Sequence, residues 1–326
     1  MNRTAHIQQT REASRHIDPV FLHSRIATND ALDTALGCHI LAKVELENPV
    51  GSFKGRGAEW FCATALSPGE AVVCASAGNF GLGLARAASR RGHACVVFVA
   101  CNANPVKVEA LRHMGADIHF AGNDFDAAKE AARAHAKAHN LRFVEDGAEP
   151  AVAQGAGTIA LELLDSARFE AITVPLGNGA LLAGIGSVLR HLAPRMEIIA
   201  VVAQNAPAMK HSLEAGIAIE TERADTIADG IAVRTPIASA LPELRGCCDA
   251  VVAVSEKEIF EAMQLIQRHL RLVVEPAGAV GIAAVLADPR HFAKRRVATV
   301  LSGGNIAPAL RERLSRWPSD QNLPTP

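Results

Sequence analysis

The chain has 326 residues, 49% of them hydrophobic, and carries 33 Lys and Arg against 34 Asp and Glu for a net charge of −1. That length holds two domains of ordinary size, or one large one, with a substantial core, and the apolar content suits a globular α/β protein. The balanced charge gives no pull toward nucleic acid or an anionic membrane, and no stretch approaches the roughly 20 uninterrupted apolar residues of a membrane span.

The first residues, Met1 to Arg11, lack the apolar centre of a signal peptide. Cys38, Cys62, Cys74, Cys95, Cys101, Cys247 and Cys248 form no C-x-x-C pair and no metal spacing with His. Several sit in apolar runs such as Val72-Val73-Cys74-Ala75, as small core residues do. The expectation is a soluble, cytoplasmic protein without a disulfide framework.

Residues 5–17 predict a polar helix, and residues 18–38 a loop with a short helix. Ile40 to Val44 predicts a strand, followed by Asn48-Pro49-Val50-Gly51-Ser52-Phe53-Lys54-Gly55-Arg56-Gly57-Ala58, with a helix starting near Gly57. A lysine at a strand-loop-helix junction, beside a glycine that permits close backbone approach, suits an amine held against a bound carbonyl. It is equally consistent with a surface lysine in a polar loop.

From about residue 70 strands and helices alternate. Strands are expected at Ala71–Ala75, Ala94–Ala100 and Ala116–Phe120, and helices at Leu82–Arg91, Pro105–Met114 and Asp124–Asn140. This βαβαβα block implies a small parallel sheet with helices on its faces. Beyond residue 150 helices are expected at Gln154–Leu164, Leu181–Leu192, Ala208–Glu214, Ser255–Leu270, Gly278–Leu286 and Pro308–Trp317. Strands are expected at Ala171–Pro175, Glu197–Ala203, Ala250–Val254 and Val297–Leu301, with a frayed tail of nine residues. There is no internal repeat and no low-complexity tract.

Ligands in open α/β sheets sit beyond the C-terminal ends of strands. Three such ends carry unusual chemistry. Ser76-Ala77-Gly78-Asn79 leads from strand to helix and offers an anion site at a helix N-terminus. Gly177-Asn178-Gly179-Ala180-Leu181 can curl its amides into a phosphate nest. Ser302-Gly303-Gly304-Asn305 holds a hydroxyl at a strand end. Each alone could be only a tight turn. The order of glycines in Gly78-x-x-Gly81-x-Gly83 is not that of a dinucleotide fingerprint, and no Walker lysine follows Gly177–Leu181.

The chain resembles the fold type II pyridoxal-phosphate enzymes, specifically the threonine dehydratase and serine racemase-like family. The resemblance spans about residues 8 to 312. It rests on seven motifs in the family's order: Ser52-Phe53-Lys54-Gly55-Arg56-Gly57-Ala58, Ser76-Ala77-Gly78-Asn79, Gln154-Gly155-Ala156-Gly157-Thr158, Pro175-Leu176-Gly177-Asn178-Gly179, Thr226-Ile227-Ala228-Asp229-Gly230, Val274-Glu275-Pro276-Ala277-Gly278 and Leu301-Ser302-Gly303-Gly304-Asn305.

The resemblance implies two parallel-sheet domains with helices on both faces, as in the tryptophan synthase beta-like fold. Residues 1–69 and 150–326 would form a large cofactor-binding domain and residues 70–149 a small mobile one. Lys54 would carry pyridoxal 5'-phosphate as an imine and act as the catalytic base. Phe53 would pack near the ring, Asn79 would bond its phenolic oxygen, Gly177, Asn178, Gly179, Ala180 and Leu181 would hold the phosphate, and Ser302 would face the pyridine nitrogen. Ser76, Ala77, Gly78 and Asn79 would receive the substrate carboxylate, and the protein would be a homodimer.

Two departures stand out. Asn178 and Ala180 interrupt the family's glycine loop, which raises the question of the backbone at Ala180. Phe80 replaces the histidine that usually follows Asn79.

The activity implied is an ammonia-lyase that converts a β-hydroxy-α-amino acid such as L-threonine or L-serine to a 2-oxo acid and ammonia. A hydroxyl at Ser302 makes the ring a weaker electron sink than a carboxylate would, which suits β-elimination. The alternatives are a dehydratase for another hydroxylated amino acid, an amino-acid racemase on the same scaffold, and a non-catalytic ligand-binding scaffold. Ala77 stands where racemases of the family carry a second serine, and Ser76, as the end of a strand, is expected to turn away. Isoleucine feedback is not expected, because regulated relatives carry a further C-terminal domain. Strong activation by divalent metal is not expected either, because Gln204 and Lys210 occupy the loop where metal-binding relatives have acids.

Overall fold

The computed structural model describes residues 3–316. Ten strands form two sheets: β1 (Ile26–Ala27), β2 (His39–Val44), β3 (Val72–Ala75), β4 (Cys95–Val99), β5 (Asp117–Phe120), β6 (Arg142–Phe143), β7 (Ala171–Pro175), β8 (Glu197–Ala203), β9 (Ala250–Val254) and β10 (Arg296–Leu301). The six-stranded sheet has the order β1-β2-β10-β7-β8-β9, and the four-stranded sheet β5-β4-β3-β6. Every pairing is parallel except β1 with β2, where Ile26 lies opposite Lys43.

Strands buried on both faces alternate their side chains between two cores. Along β8, Ile199, Val201 and Ala203 enter one cluster, while Ile198, Ala200 and Val202 enter another on the opposite face. The four-stranded sheet does the same, with Val72 and Cys74 on one side and Val73 on the other.

The helices cover these faces. They are α1 (Arg3–His16), α2 (Asp30–Leu36), α3 (Lys54–Thr64), α4 (Asn79–Arg90), α5 (Pro105–His113), α6 (Phe125–Ala138), α7 (Pro150–Ser166), α8 (Ala180–Leu192), α9 (Ala208–Ala215), α10 (Leu241–Leu244), α11 (Glu256–Leu265), α12 (Pro276–Ala287), α13 (Pro289–Phe292) and α14 (Pro308–Ser315). On one face of the large sheet α7 and α8 contribute Ile159, Leu163, Leu182 and Ile185. On the other, α11 and α12 contribute Ile259, Met263, Val280 and Ile282. Asp18, Asn29, Asn104, Asp124 and Ser255 cap helix N-termini with their side chains, and Ser255 with Glu258 completes a capping box.

Several elements differ from the sequence expectation. Helix α3 starts at Lys54 rather than near Gly57, so the lysine is itself the first helical residue. Strands β1 and β6 were not expected; each has two residues, too short to show a pattern. A π-helical turn, Ile266–Leu270, follows α11. Trp317 and the tail of nine residues lie outside the described residues.

Candidate active site

The C-terminal ends of β3, β6, β7 and β10 and the start of α3 converge on one cavity of about 640 Å³. Lys54, Phe53, Ser76, Ala77, Gly78, Asn79, Gly177, Asn178, Gly179, Ala180, Leu181 and Ser302 all line it. The structure thus brings together every residue singled out from the sequence.

Lys54 is held from both sides of its helix turn. Phe53 donates its backbone N–H to the Ser302 carbonyl at 3.0 Å, tying the start of α3 to the end of β10. Two residues on, Arg56 is fully buried and bonds Glu45 at the end of β2, with both Nε and Nη2 at 2.8 Å. Its other donors reach Glu162 and Thr158 of α7 at 2.6 and 2.9 Å, and Lys43 Nζ donates to Glu162 at 2.6 Å. Burial alone would push the Glu162 carboxyl up, but Arg56 and Lys43 outweigh it and hold it at about 2. A side chain at Gly55 would meet the Phe21 ring at 2.1 Å, so α3 packs there through a bare backbone.

The Lys54 amine lies 4.6 Å from the centre of the Phe53 ring. It donates to Asp146 Oδ2 at 2.5 Å. Asp146 follows the short strand β6 and escaped the sequence reading, because a two-residue strand leaves no apolar run to mark its end. Gly147 next to it has φ +92, and a Cβ there would meet the Asn178 carbonyl at 2.4 Å. The loop carrying Asp146 is thereby fitted against the loop 177–181.

That second loop answers the question raised at Ala180. Among residues 177–181 the left-handed backbone falls on Gly179, φ +100, which caps α8; Ala180 is the first residue of the helix and is buried. The interruption by Ala180 therefore leaves the turn intact. The amides of the first turn of α8 have no acceptor within the helix and form an anion cradle.

Helix α4 begins at Asn79 and presents a second N-terminus to the same cavity. Ser76 Oγ accepts from the amides of Gly78 and Gly81 at 3.3 and 3.1 Å, which ties the hydroxyl oxygen to the helix start. Phe80 lines the cavity and is 5% exposed, packed into the core under the four-stranded sheet.

Asn79 is fixed by two partners. Its Nδ2 donates to Glu275 at 2.8 and 3.1 Å, and its Oδ1 accepts from Asn305 at 2.7 Å. Glu275, of the motif Val274-Glu275-Pro276-Ala277-Gly278, is the buried carboxylate behind Asn79. Burial pushes its carboxyl up to about 7, with the Asn79 donor pulling back. A Cβ at Gly303 would lie 2.3 Å from Glu275 Oε1, so a side chain there would displace this carboxylate. Ser302, at the end of β10, is 4% exposed.

An amine, two helix N-termini and a hydroxyl around one cavity fit an aromatic aldehyde that carries a phosphate. The glycine-framed cradle of α8 and the partly buried Lys54 amine meet the demands of pyridoxal phosphate at its two ends. Among the described residues no group of His, Cys, Asp and Glu is placed to hold a metal ion, and no helix is long and apolar enough to cross a membrane. Gln204 follows β8, and Lys210 pairs with Glu214.

Fold and site together define a pyridoxal-phosphate enzyme of fold type II. The family model described as "Pyridoxal-phosphate dependent enzyme" matches residues 24–303, and the chain belongs to that family. It is 36% identical over 312 residues to an L-threonine ammonia-lyase of Thermotoga maritima, an alignment that covers 94% of this chain and 77% of the relative. The processed form of threonine deaminase isoform 2 from Solanum lycopersicum superposes with a TM-score of 0.90 at 26% identity, covering 96% of this chain and 87% of that one. Maize serine racemase superposes with a TM-score of 0.86, also at 26% identity, over 94% of this chain and 95% of its own.

Proposed function

We propose that this protein is an ammonia-lyase that removes water from a β-hydroxy-α-amino acid such as L-threonine or L-serine and releases a 2-oxo acid and ammonia. The observation that carries this reading is the placement of the Lys54 amine in one cavity with two helix N-termini, α4 and α8, each able to take an anion. One suits a phosphate and the other a substrate carboxylate. The names of the relatives, threonine ammonia-lyase and threonine deaminase, point to the same activity.

Pyridoxal phosphate supplies, when bound, an electron sink for the bonds at the amino acid's Cα. The chain's own residues do the rest. Lys54 would hold the cofactor through Nζ and, once that amine is free, take the Cα proton on it. The amides of Gly177–Leu181 would hold the phosphate, and Ser302 would stand at the ring nitrogen as a hydroxyl rather than a carboxylate. Asn79, braced by Glu275 and Asn305, would orient the cofactor's phenolic oxygen. The α4 N-terminus would bind the substrate carboxylate and set the Cα–H toward Lys54.

Elimination is favoured over racemisation because a racemase needs an acid-base group on each face of Cα. Ala77 offers only a methyl, and Ser76 Oγ is already bonded to two amides. The residues 70–149, which contain the four-stranded sheet, would close over the site as a smaller domain. A homodimer in a reducing compartment, which suits cysteines that form no disulfide among the described residues, belongs to the same reading.

The test is a panel of β-hydroxy amino acids incubated with the cofactor-loaded enzyme, with the 2-oxo acid measured. L-threonine or L-serine should give the highest rates. A protein that forms no 2-oxo acid from any member of the panel would overturn the proposal.

A further inference from the structure

Five acids line the cavity, and four of them have partners other than the Lys54 amine. Asp126, Glu145 and Asp229 pair with Arg234, Arg133 and Lys107, and Glu275 accepts from Asn79. The fifth, Asp146, contacts Lys54 Nζ through Oδ2 at 2.5 Å, while its Oδ1 is buried in the protein with no hydrogen-bond partner. A buried ion pair repays its desolvation only when the remaining lone pairs are satisfied too, so this pair is poorly built for stability. It is also temporary. On the ammonia-lyase reading Nζ is a free amine before the cofactor is held, and again during turnover after the substrate's amine has displaced it.

The acceptor, by contrast, is fixed. The Val144 amide donates to the Val73 carbonyl at 2.8 Å, and the Ala148 amide closes a turn on the Glu145 carbonyl at 3.1 Å. Glu145 is pinned to Arg133 of α6 at 2.8 Å, and Gly147 fits against the Asn178 carbonyl where a Cβ would lie at 2.4 Å. A long, flexible amine thus meets a carboxylate that the surrounding loop cannot release.

We propose that Asp146 is a positioning residue that holds the freed Lys54 amine, through Oδ2, in place to take the Cα proton. The proposal rests on the ammonia-lyase reading and adds what keeps its base in position. Released from the cofactor, Nζ could swing widely on its flexible stem. One hydrogen bond to Oδ2 restricts it and leaves its lone pair free. When the Cα proton arrives on Nζ, the positive charge forms beside a carboxylate already in place. Asp146 neither gains nor loses a proton, and its buried Oδ1 meets nothing of the substrate.

The experiment follows two reactions of the cofactor-loaded enzyme in heavy water. L-alanine has a Cα–H and no β-leaving group, so deuterium uptake at its Cα, read by NMR, reports the proton step alone. L-serine reports the whole elimination as 2-oxo acid. A displaced catalytic group costs up to about 100-fold, so D146A should slow deuterium uptake by about 10- to 100-fold and 2-oxo acid formation by no more than that. D146N, whose amide oxygen can accept from Nζ without the charge, should fall between D146A and the wild type. The cofactor absorbance band, and its shift on adding L-alanine, should match the wild type in both variants, since Asp146 holds neither cofactor nor substrate carboxylate. Deuterium uptake within about 2-fold of the wild type, or a fall in 2-oxo acid alone, would overturn the proposal. So would loss of the cofactor band in both variants, which would make Asp146 a support of the loaded site as a whole. A wild type that takes up deuterium but forms no 2-oxo acid would instead refute the ammonia-lyase reading, with the exchange still deciding the role of Asp146.

Discussion

Glu162→Gln tests how the fold holds Lys54. Glu162 accepts from Arg56 at 2.6 and 3.0 Å, from Lys43 at 2.6 Å and from the His23 amide at 2.9 Å. Its carboxyl sits at about 2 against an ordinary 4.5, a gap of about 2.5 that corresponds to about 3 kcal/mol. An acid held low in the folded protein contributes stability that is complete above 4.5 and lost as the pH falls toward 2. The substitution also leaves Arg56 with Glu45 as its one carboxylate partner and Lys43 with the Ser24 carbonyl, and breaking a buried pair costs about 3–5 kcal/mol. Urea unfolding of the cofactor-free protein, followed by circular dichroism, should show E162Q less stable by about 3–5 kcal/mol at pH 7. The difference should narrow by about 2 kcal/mol at pH 3. A loss under about 1 kcal/mol at pH 7, or the same loss at both pH values, would refute the view that this ion cluster anchors α3.

Glu275→Gln should act with the opposite sign. Burial holds this acid up at about 7, so the cost of its charge appears as the pH rises above 4.5 and is complete above about 7. Melting of the cofactor-free protein should find E275Q stabilised at pH 8, by up to about 3 kcal/mol, and unchanged at pH 4; destabilisation at pH 8 would contradict the buried charge. With L-serine or L-threonine, chiral chromatography should find 2-oxo acid accumulating without a D-enantiomer or epimer, since Ala77 cannot move a proton. Epimer formed as fast as 2-oxo acid would show that another group serves the second face.

Much of this fold was legible because parallel strands buried on both faces read as unbroken apolar runs. Val72–Ala75, Cys95–Val99 and Ala171–Pro175 are of this kind. The start of α3 was misplaced because Gly55 and Gly57 weaken the helical signal at Lys54. That glycine-rich turn is a packing demand, set by Phe21 and visible only once the chain is folded. The residues proposed to hold the cofactor could be named from short motifs, since backbone cradles need small residues in a fixed order. Asp146 could not. Its role comes from a contact across 92 positions with Lys54, and nothing local marks an aspartate in Glu145-Asp146-Gly147 as more than a turn residue. Glu275 was visible in its motif, but only burial reveals its work behind Asn79.

The most direct test of the account sets wild type beside Lys54→Ala, each supplied with pyridoxal phosphate and L-threonine, and measures ammonia and 2-oxo acid together. The wild type should release the two in equal amounts, and K54A, still folded by circular dichroism, should fall by at least about 10⁴-fold if, as proposed, one amine serves as both cofactor anchor and base. Comparable release by K54A without added amine, or ammonia without matching 2-oxo acid, would contradict the assignment.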